Sequence, residues 1–437
     1  MSRTPPTTGV ERALLAGAIV LVPFDYFLPD VGPFSTLFLV FTALALYAGV
    51  RRGRVLRAVL VHPAFVPAYA LLVVAAIVES MHPHASYVEV LRMARMVGGG
   101  VVVAALCRDA RALLHCVRAF VGVGVLMSAG LTLVAYRRLW VASALDFDAA
   151  STVREAAFAQ VLRMQGDLNV LGLTTALGTT LAVALALWAR SRAAFAGWLG
   201  VATFCGVATF LPMSRGAVVN ALGGAAAVML AARSAWRRAL GLALVFLVAV
   251  PLLVPGVVFS RLEFAGLRAL RLGLAASPPA GRADRARADS AEGRPAARAP
   301  LEARAHLYEV AVRHAPAYLL RGVGAGHFWA GWGWRHGFGN EQYSWGPQNV
   351  FIEVTVYWGL AGLLALLALV WTAARCLPRP PGAGPLALAM FGYAVATLLY
   401  ALMAHAVYAK PFALFLGLAA AARLWIWPDA RASGETA

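Results

Sequence analysis

Apolar runs of roughly twenty residues recur along the whole of this chain, and that is the length that crosses the hydrocarbon core of a bilayer. Twelve can be marked, at about 13–29, 33–50, 61–79, 90–106, 117–136, 168–188, 194–212, 216–232, 239–259, 348–374, 384–405 and 411–427. In hydrocarbon, a backbone run of this length satisfies its own N–H and C=O groups by coiling into a helix. The sequence therefore predicts an all-α fold, a polytopic membrane helical bundle of about 12 transmembrane helices. A soluble fold is excluded. Of the 437 residues 61% are hydrophobic and 13% charged, where a soluble domain carries about 25% charged residues.

The charge is unequally placed. The formal net charge is +18, and all cations but Lys410 are arginine. Arg51, Arg52, Arg54 and Arg57 follow the second run, Arg108, Arg111 and Arg118 the fourth, and Arg190 and Arg192 the sixth. Arg233, Arg237 and Arg238 follow the eighth, and Arg375 and Arg379 the tenth. The alternate connections, such as FLPDVGPF and ESMHPHASY, are nearly free of cations. The positive-inside bias then predicts a multi-pass protein with both termini cytoplasmic. The first run lacks a convincing cleavage site and reads as a retained span. Much of the positive charge sits in short loops between spans, which argues against a nucleic-acid partner. Cys107, Cys116, Cys205 and Cys376 show no metal-ligand spacing, and no metal or other cofactor is expected.

The chain divides into residues 1–259 with spans 1–9, a large extracytoplasmic segment at 260–347, and residues 348–437 with spans 10–12. The segment holds twelve arginines against seven acids. It opens on FSRLEFAGLRALRLGL, which suits an amphipathic helix on the membrane surface. Residues 277–300, rich in Ala, Arg, Pro and Asp, cannot bury enough apolar surface to order themselves and read as a linker. Helical spacing returns in LEARAHLYEVAVRHAPAYLL, before a Gly and aromatic loop, GVGAGHFWAGWGWRHGFG. Its aromatic residues suit either a sugar-stacking platform or an interfacial belt.

Two arginines stand out. Arg215 lies in FLPMSRGAVVNALGG, at the extracytoplasmic end of span 7 or the start of span 8. A guanidinium there either snorkels to headgroups or sits in a wet cavity facing an anion, and its planar fork suits a phosphate. Arg304 opens the helix RAHLY ahead of LLRGVGAGHF. Two arginines on separate elements could clamp a diphosphate and stabilise charge developing on a leaving group.

SRGA after an apolar span, Arg304-x-x-x-Tyr308, GVGAG, then GPQNVFIEVTVYWGLAG resembles the bacterial O-antigen ligase and O-antigen polymerase superfamily of polytopic membrane glycosyltransferases. RMQGDLN, from Arg163 to Asn169, resembles a degenerate upstream element of that family. The resemblance covers about Arg163 to Leu366 together with the twelve-span layout. It implies transfer of a glycan from undecaprenyl pyrophosphate on the periplasmic face of the bacterial inner membrane, without metal and with inversion. A ligase would pass the glycan to lipid A core; a polymerase would pass it to a second lipid-linked glycan. Carried over by position, Arg215, Arg304 and Arg163 would bind the diphosphate, amid membrane lipids.

One position departs from the pattern. The family usually has His-Asn where this chain has Gln348-Asn349. Glutamine cannot take a proton, so either Gln348 orients the acceptor hydroxyl, or another residue is the base, or this member has a different or lost activity. His327, His336, Glu341 and Glu353 are the candidates, Glu353 being one helical turn after Asn349. The catalytic set is thus Gln348, Asn349, Glu353 and His327. A lipid-linked glycan transporter is the rival class. Polar residues gathered at one face in one large loop, without an internal repeat, favour an enzyme over it.

Overall fold

The computed structural model describes residues 6–22, 36–81, 87–142, 147–159, 168–262, 308, 311–325, 349–377, 384–403 and 410–427. Every regular element among them is helical. In chain order they are α1 (Gly9–Leu21), α2 (Thr36–Leu60), α3 (Val66–Ser80), α4 (Tyr87–Leu106), α5 (Ala110–Leu131) and α6 (Arg137–Val141). There follow α7 (Phe147–Ala157), α8 (Leu168–Leu187), α9 (Arg192–Phe210), α10 (Arg215–Ala231), α11 (Trp236–Leu253) and α12 (Gly256–Leu262). The last four are α13 (Ala315–Tyr318), α14 (Val350–Cys376), α15 (Gly384–Met403) and α16 (Lys410–Ala421).

Each of the twelve apolar runs falls at least partly on one of these helices. Seven described helices are long and apolar enough to cross a membrane: Pro63–Ser80, Ala110–Val141, Leu168–Leu187, Arg192–Phe210, Trp236–Leu253, Val350–Cys376 and Gly384–Leu402. Arg215–Ala231 and Phe412–Ile426 are apolar but shorter. The second run does not end at residue 50, because α2 continues to Leu60 through a kink at Arg52. Helix continues beyond residue 136, where the fifth run ends. A π-helical turn at Thr132–Tyr136 joins α5 to α6.

At the centre stands α8, buried on all sides among α5, α9, α10 and α15. Small residues allow that approach. A Cβ on Gly178 would lie 2.9 Å from the Cα of Gly124 on α5. A Cβ on Gly172 would lie 2.7 Å from the Ala217 Cβ on α10. Without a hydrophobic drive between helices in lipid, such close contact is what holds them together. Most of the α8 threonines turn inward to their own helix: Thr174, Thr175 and Thr179 donate to the carbonyls of Val170, Gly172 and Thr175, each at 2.9 Å. By contrast α11 lies on the rim, with Leu240, Leu244 and Leu247 exposed, as a helix facing acyl chains would be.

One end of the bundle is closed by a buried ionic clip. Thr8 caps α1 in a reciprocal box with Glu11, at 3.2 and 2.7 Å. The fully buried Glu11 carboxylate also takes Arg108 at 2.6 Å and Arg52, at the α2 kink, at 2.9 Å. Thr7 donates its N–H to Asp109 at 2.8 Å. Burial opposes ionisation of Glu11, but the hydrogen bonds from Arg52 and Thr8 and the charge of Arg108 outweigh it and hold its carboxyl below the ordinary range. This clip ties the N-terminal segment to the α4–α5 junction.

Candidate functional site

The opposite end carries the residues singled out from the sequence. Ser214 caps α10, its Oγ accepting the Ala217 N–H at 3.4 Å. Arg215 is therefore the first helical residue, half-buried beside a half-buried Gly216. Met213, just before the cap, has φ 53°, the only positive φ on a non-glycine among the described residues. The turn is pinned from the side by Arg154 of α7, whose Nε donates to the Pro212 carbonyl at 2.7 Å. A second arginine thus stands next to the Arg215 turn. Sequence reading passed over it because STVREAAF looks like an ordinary helix surface.

Asn349 is the N-cap of α14. Its Oδ1 accepts the N–H groups of Phe351 and Ile352 at 3.0 and 3.2 Å, and its Nδ2 donates to the Leu402 carbonyl at 3.2 Å. The amide expected to be catalytic thus fixes the start of α14 against the end of α15. Glu353 follows one turn later, 1% exposed. On its other side α15 packs on α10, where a Cβ on Gly223 would collide with the Leu399 side chain. The helices that begin at Arg215 and at Asn349 therefore share α15 as a partner, α14 through its cap at Leu402 and α10 through Gly223, two turns beyond Arg215. Gln348, His327, Arg304, Arg163, His336 and Glu341 lie outside the described residues, as does the linker at 277–300.

The main departure from the sequence reading is a break inside α14. Gly359 has φ 66° and ψ −162°, so the helix is interrupted in mid-run. In an unbroken helix the carbonyls of Val356 and Tyr357 would accept from Leu360 and the residue after it. The GVGAG turn takes them instead. Val323 N–H donates to Val356 O at 3.0 Å and Gly324 N–H to Tyr357 O at 2.9 Å, while Leu360 N–H reaches back to Leu319 O at 2.6 Å. Gly322 and Gly324, with φ of 68° and 75°, permit the turn. Non-helical backbone at this depth survives only where protein supplies its partners, and residues 319–324 supply them here. The turn grows from α13, where Tyr318 O accepts Gly322 N–H at 2.7 Å.

The buried acid Glu79, on the last turn of α3, completes this interlock. Its Oε1 accepts the Ala325 N–H at 2.5 Å and lies 3.4 Å from Trp358 Nε1. The sequence did hold a signal for it, an ionisable residue at the end of an apolar run. In ESMHPHASY the lack of cations is the more conspicuous feature.

An apolar cavity of about 360 Å³ opens between α3, α4, α14, α15 and α16. Met93, Met96, Val350, Phe351, Phe391 and Phe415 are among its walls. Val350 and Phe351 belong to the first turn of α14, so the cavity adjoins the Asn349 cap. Hydrocarbon is the chemistry such a lining accepts. Among the described residues, no three His, Cys, Asp or Glu side chains gather into a group that could hold a metal ion. Compared with known proteins, the chain matches no protein-family model and no curated protein sequence.

Proposed function

We propose that this chain is a membrane-embedded glycosyltransferase of the O-antigen ligase type. It moves a glycan from undecaprenyl pyrophosphate to lipid A core on the periplasmic face of the inner membrane. The observation that carries the reading is the packing of both motif-bearing helices, α10 behind Arg215 and α14 behind Asn349, on α15, with an apolar cavity at the Asn349 cap. An arginine at the start of one of these helices and a hydrocarbon-lined space at the start of the other suit the two halves of a lipid diphosphate. The arginine-rich connections fall on the alternate side of the twelve expected spans and orient this end outward.

In the reaction the acceptor hydroxyl attacks the anomeric carbon. The bond from that carbon to the diphosphate oxygen breaks, and the diphosphate leaves with the electron pair. Arg215, Arg304 and Arg163 neutralise the charge gathering on it. The hydroxyl proton passes to a base other than Gln348, which orients the hydroxyl. The order of motifs along the chain supports a polymerase equally in its donor half, so the second reading is transfer to another lipid-linked glycan.

Deleting the gene and resolving the surface polysaccharide on a gel tests the proposal. Loss of attached polymer with lipid-linked polymer retained is the expected ligase result. A single repeat left on the core marks a polymerase. An unchanged ladder contradicts both readings.

A further inference from the structure

Glu79 is 1% exposed, and the groups it holds belong to both halves of the interlock: the Ala325 N–H of the glycine turn and the Trp358 indole of α14. Its second oxygen, Oε2, is buried without a hydrogen-bond partner among the described residues. Burying a carboxylate with one oxygen unmatched is costly. Burial also keeps substrate from this carboxylate, so it acts on chemistry only through what it holds. The turn it holds ends the described stretch 311–325, and the same α14 carries Asn349 and Glu353 at its start.

We propose that Glu79 is a positioning residue of the transferase site, a latch that sets the Gly322–Ala325 turn at a fixed place against the break in α14. The proposal rests on the transferase reading above. Oxygen Oε1 receives both donors, so the latch needs a hydrogen-bond acceptor at that point rather than a negative charge. Glutamine keeps the acceptor, with an amide NH2 in place of Oε2. Alanine removes it.

The test uses the full chain in nanodiscs, with an undecaprenyl-diphosphate-linked glycan as donor and lipid A core as acceptor. Glu79→Ala is expected to lower kcat at least tenfold with the donor KM within threefold of the parent. Glu79→Gln is expected to stay within threefold of the parent in both. Hydrogen exchange at residues 319–325 rises in Glu79→Ala and stays at the parent level in Glu79→Gln. If Glu79→Ala does not fold, Glu79→Asp, which draws the oxygens back by one bond, takes its place with the same expectations. Parent-like kcat and exchange in the Ala or Asp variant overturns the latch. So does a Gln variant as impaired as Ala. A parent without transfer activity refutes the transferase reading instead, and the exchange comparison still decides whether Glu79 holds the turn.

Discussion

Replacing Gly322 by alanine challenges the interlock at its tightest point. The residue has φ 68°, and a non-glycine held in the left-handed region loses about 1–2 kcal/mol. Its new methyl would overlap the Tyr357 carbonyl oxygen and lie 2.7 Å from both the Trp358 Cα and the Tyr357 carbonyl carbon. These are backbone atoms and cannot swing aside. Relief requires the turn to withdraw, which strips Val356 O and Tyr357 O of their donors. Each buried carbonyl left unmatched costs about 1–3 kcal/mol. The docked turn is therefore destabilised by about 3–8 kcal/mol, roughly 10²- to 10⁶-fold in opening. Hydrogen exchange followed by mass spectrometry reads this directly, in peptides covering 319–325 and 356–361. Gly122→Ala is the control, because a Cβ there meets nothing within 4 Å and the residue sits in regular α5 helix. It should be neutral or stabilise by up to about 1 kcal/mol. Parent-level exchange in Gly322→Ala, or equal losses in both variants, refutes the reasoning.

Acidification should loosen the N-terminal clip. The Glu11 carboxyl is depressed in the folded chain, so its stabilisation is complete above the unfolded value near ~4.3 and is lost as pH falls through the lower folded value. Thermal unfolding in detergent between pH 7 and 3 should show this loss, and Glu11→Gln should lower stability at pH 7 by about 3–5 kcal/mol while flattening the dependence. Gly178→Val puts a side chain where a Cβ already lies 2.9 Å from Gly124; a loss of at least about 1–3 kcal/mol is expected in the same assay. Arg154→Ala releases the Pro212 carbonyl beside the Arg215 turn and should cut transfer about tenfold, in the range of one hydrogen bond to a charged group. Gln348→His should raise the transfer rate near neutral pH if a base is lacking there, which a pH–rate profile would reveal.

Helix existence was legible because period and length are strong signals. Each of the twelve apolar runs falls at least partly on a described helix, and Asn349 caps α14 within two residues of the expected start. The break at Gly359 was hidden for a physical reason. Its partners, Leu319 and the turn at 322–324, lie about forty residues away in sequence, and WGLAG alone reads as continuous helix. The Glu11–Arg108 pair was illegible in the same way, since a buried charge is explained only by a distant partner, and Glu79 shows in the sequence only as an acid ending an apolar run, without its partner Ala325. Arg215 was legible because an arginine bordering an apolar run is costly wherever it is not served by water or an anion. Asn349 shows the converse: its place was read correctly, while the structure commits its amide to capping and to Leu402.

The most direct test of the central claim is reconstituted transfer. The purified chain, in proteoliposomes holding an undecaprenyl-diphosphate-linked glycan and lipid A core, is assayed for glycan-extended lipid and for released undecaprenyl diphosphate. Both products should form in equal amounts with the parent and fall at least a hundredfold with Arg215→Ala. Absence of both products from the folded parent, or undiminished transfer by Arg215→Ala, contradicts the claim.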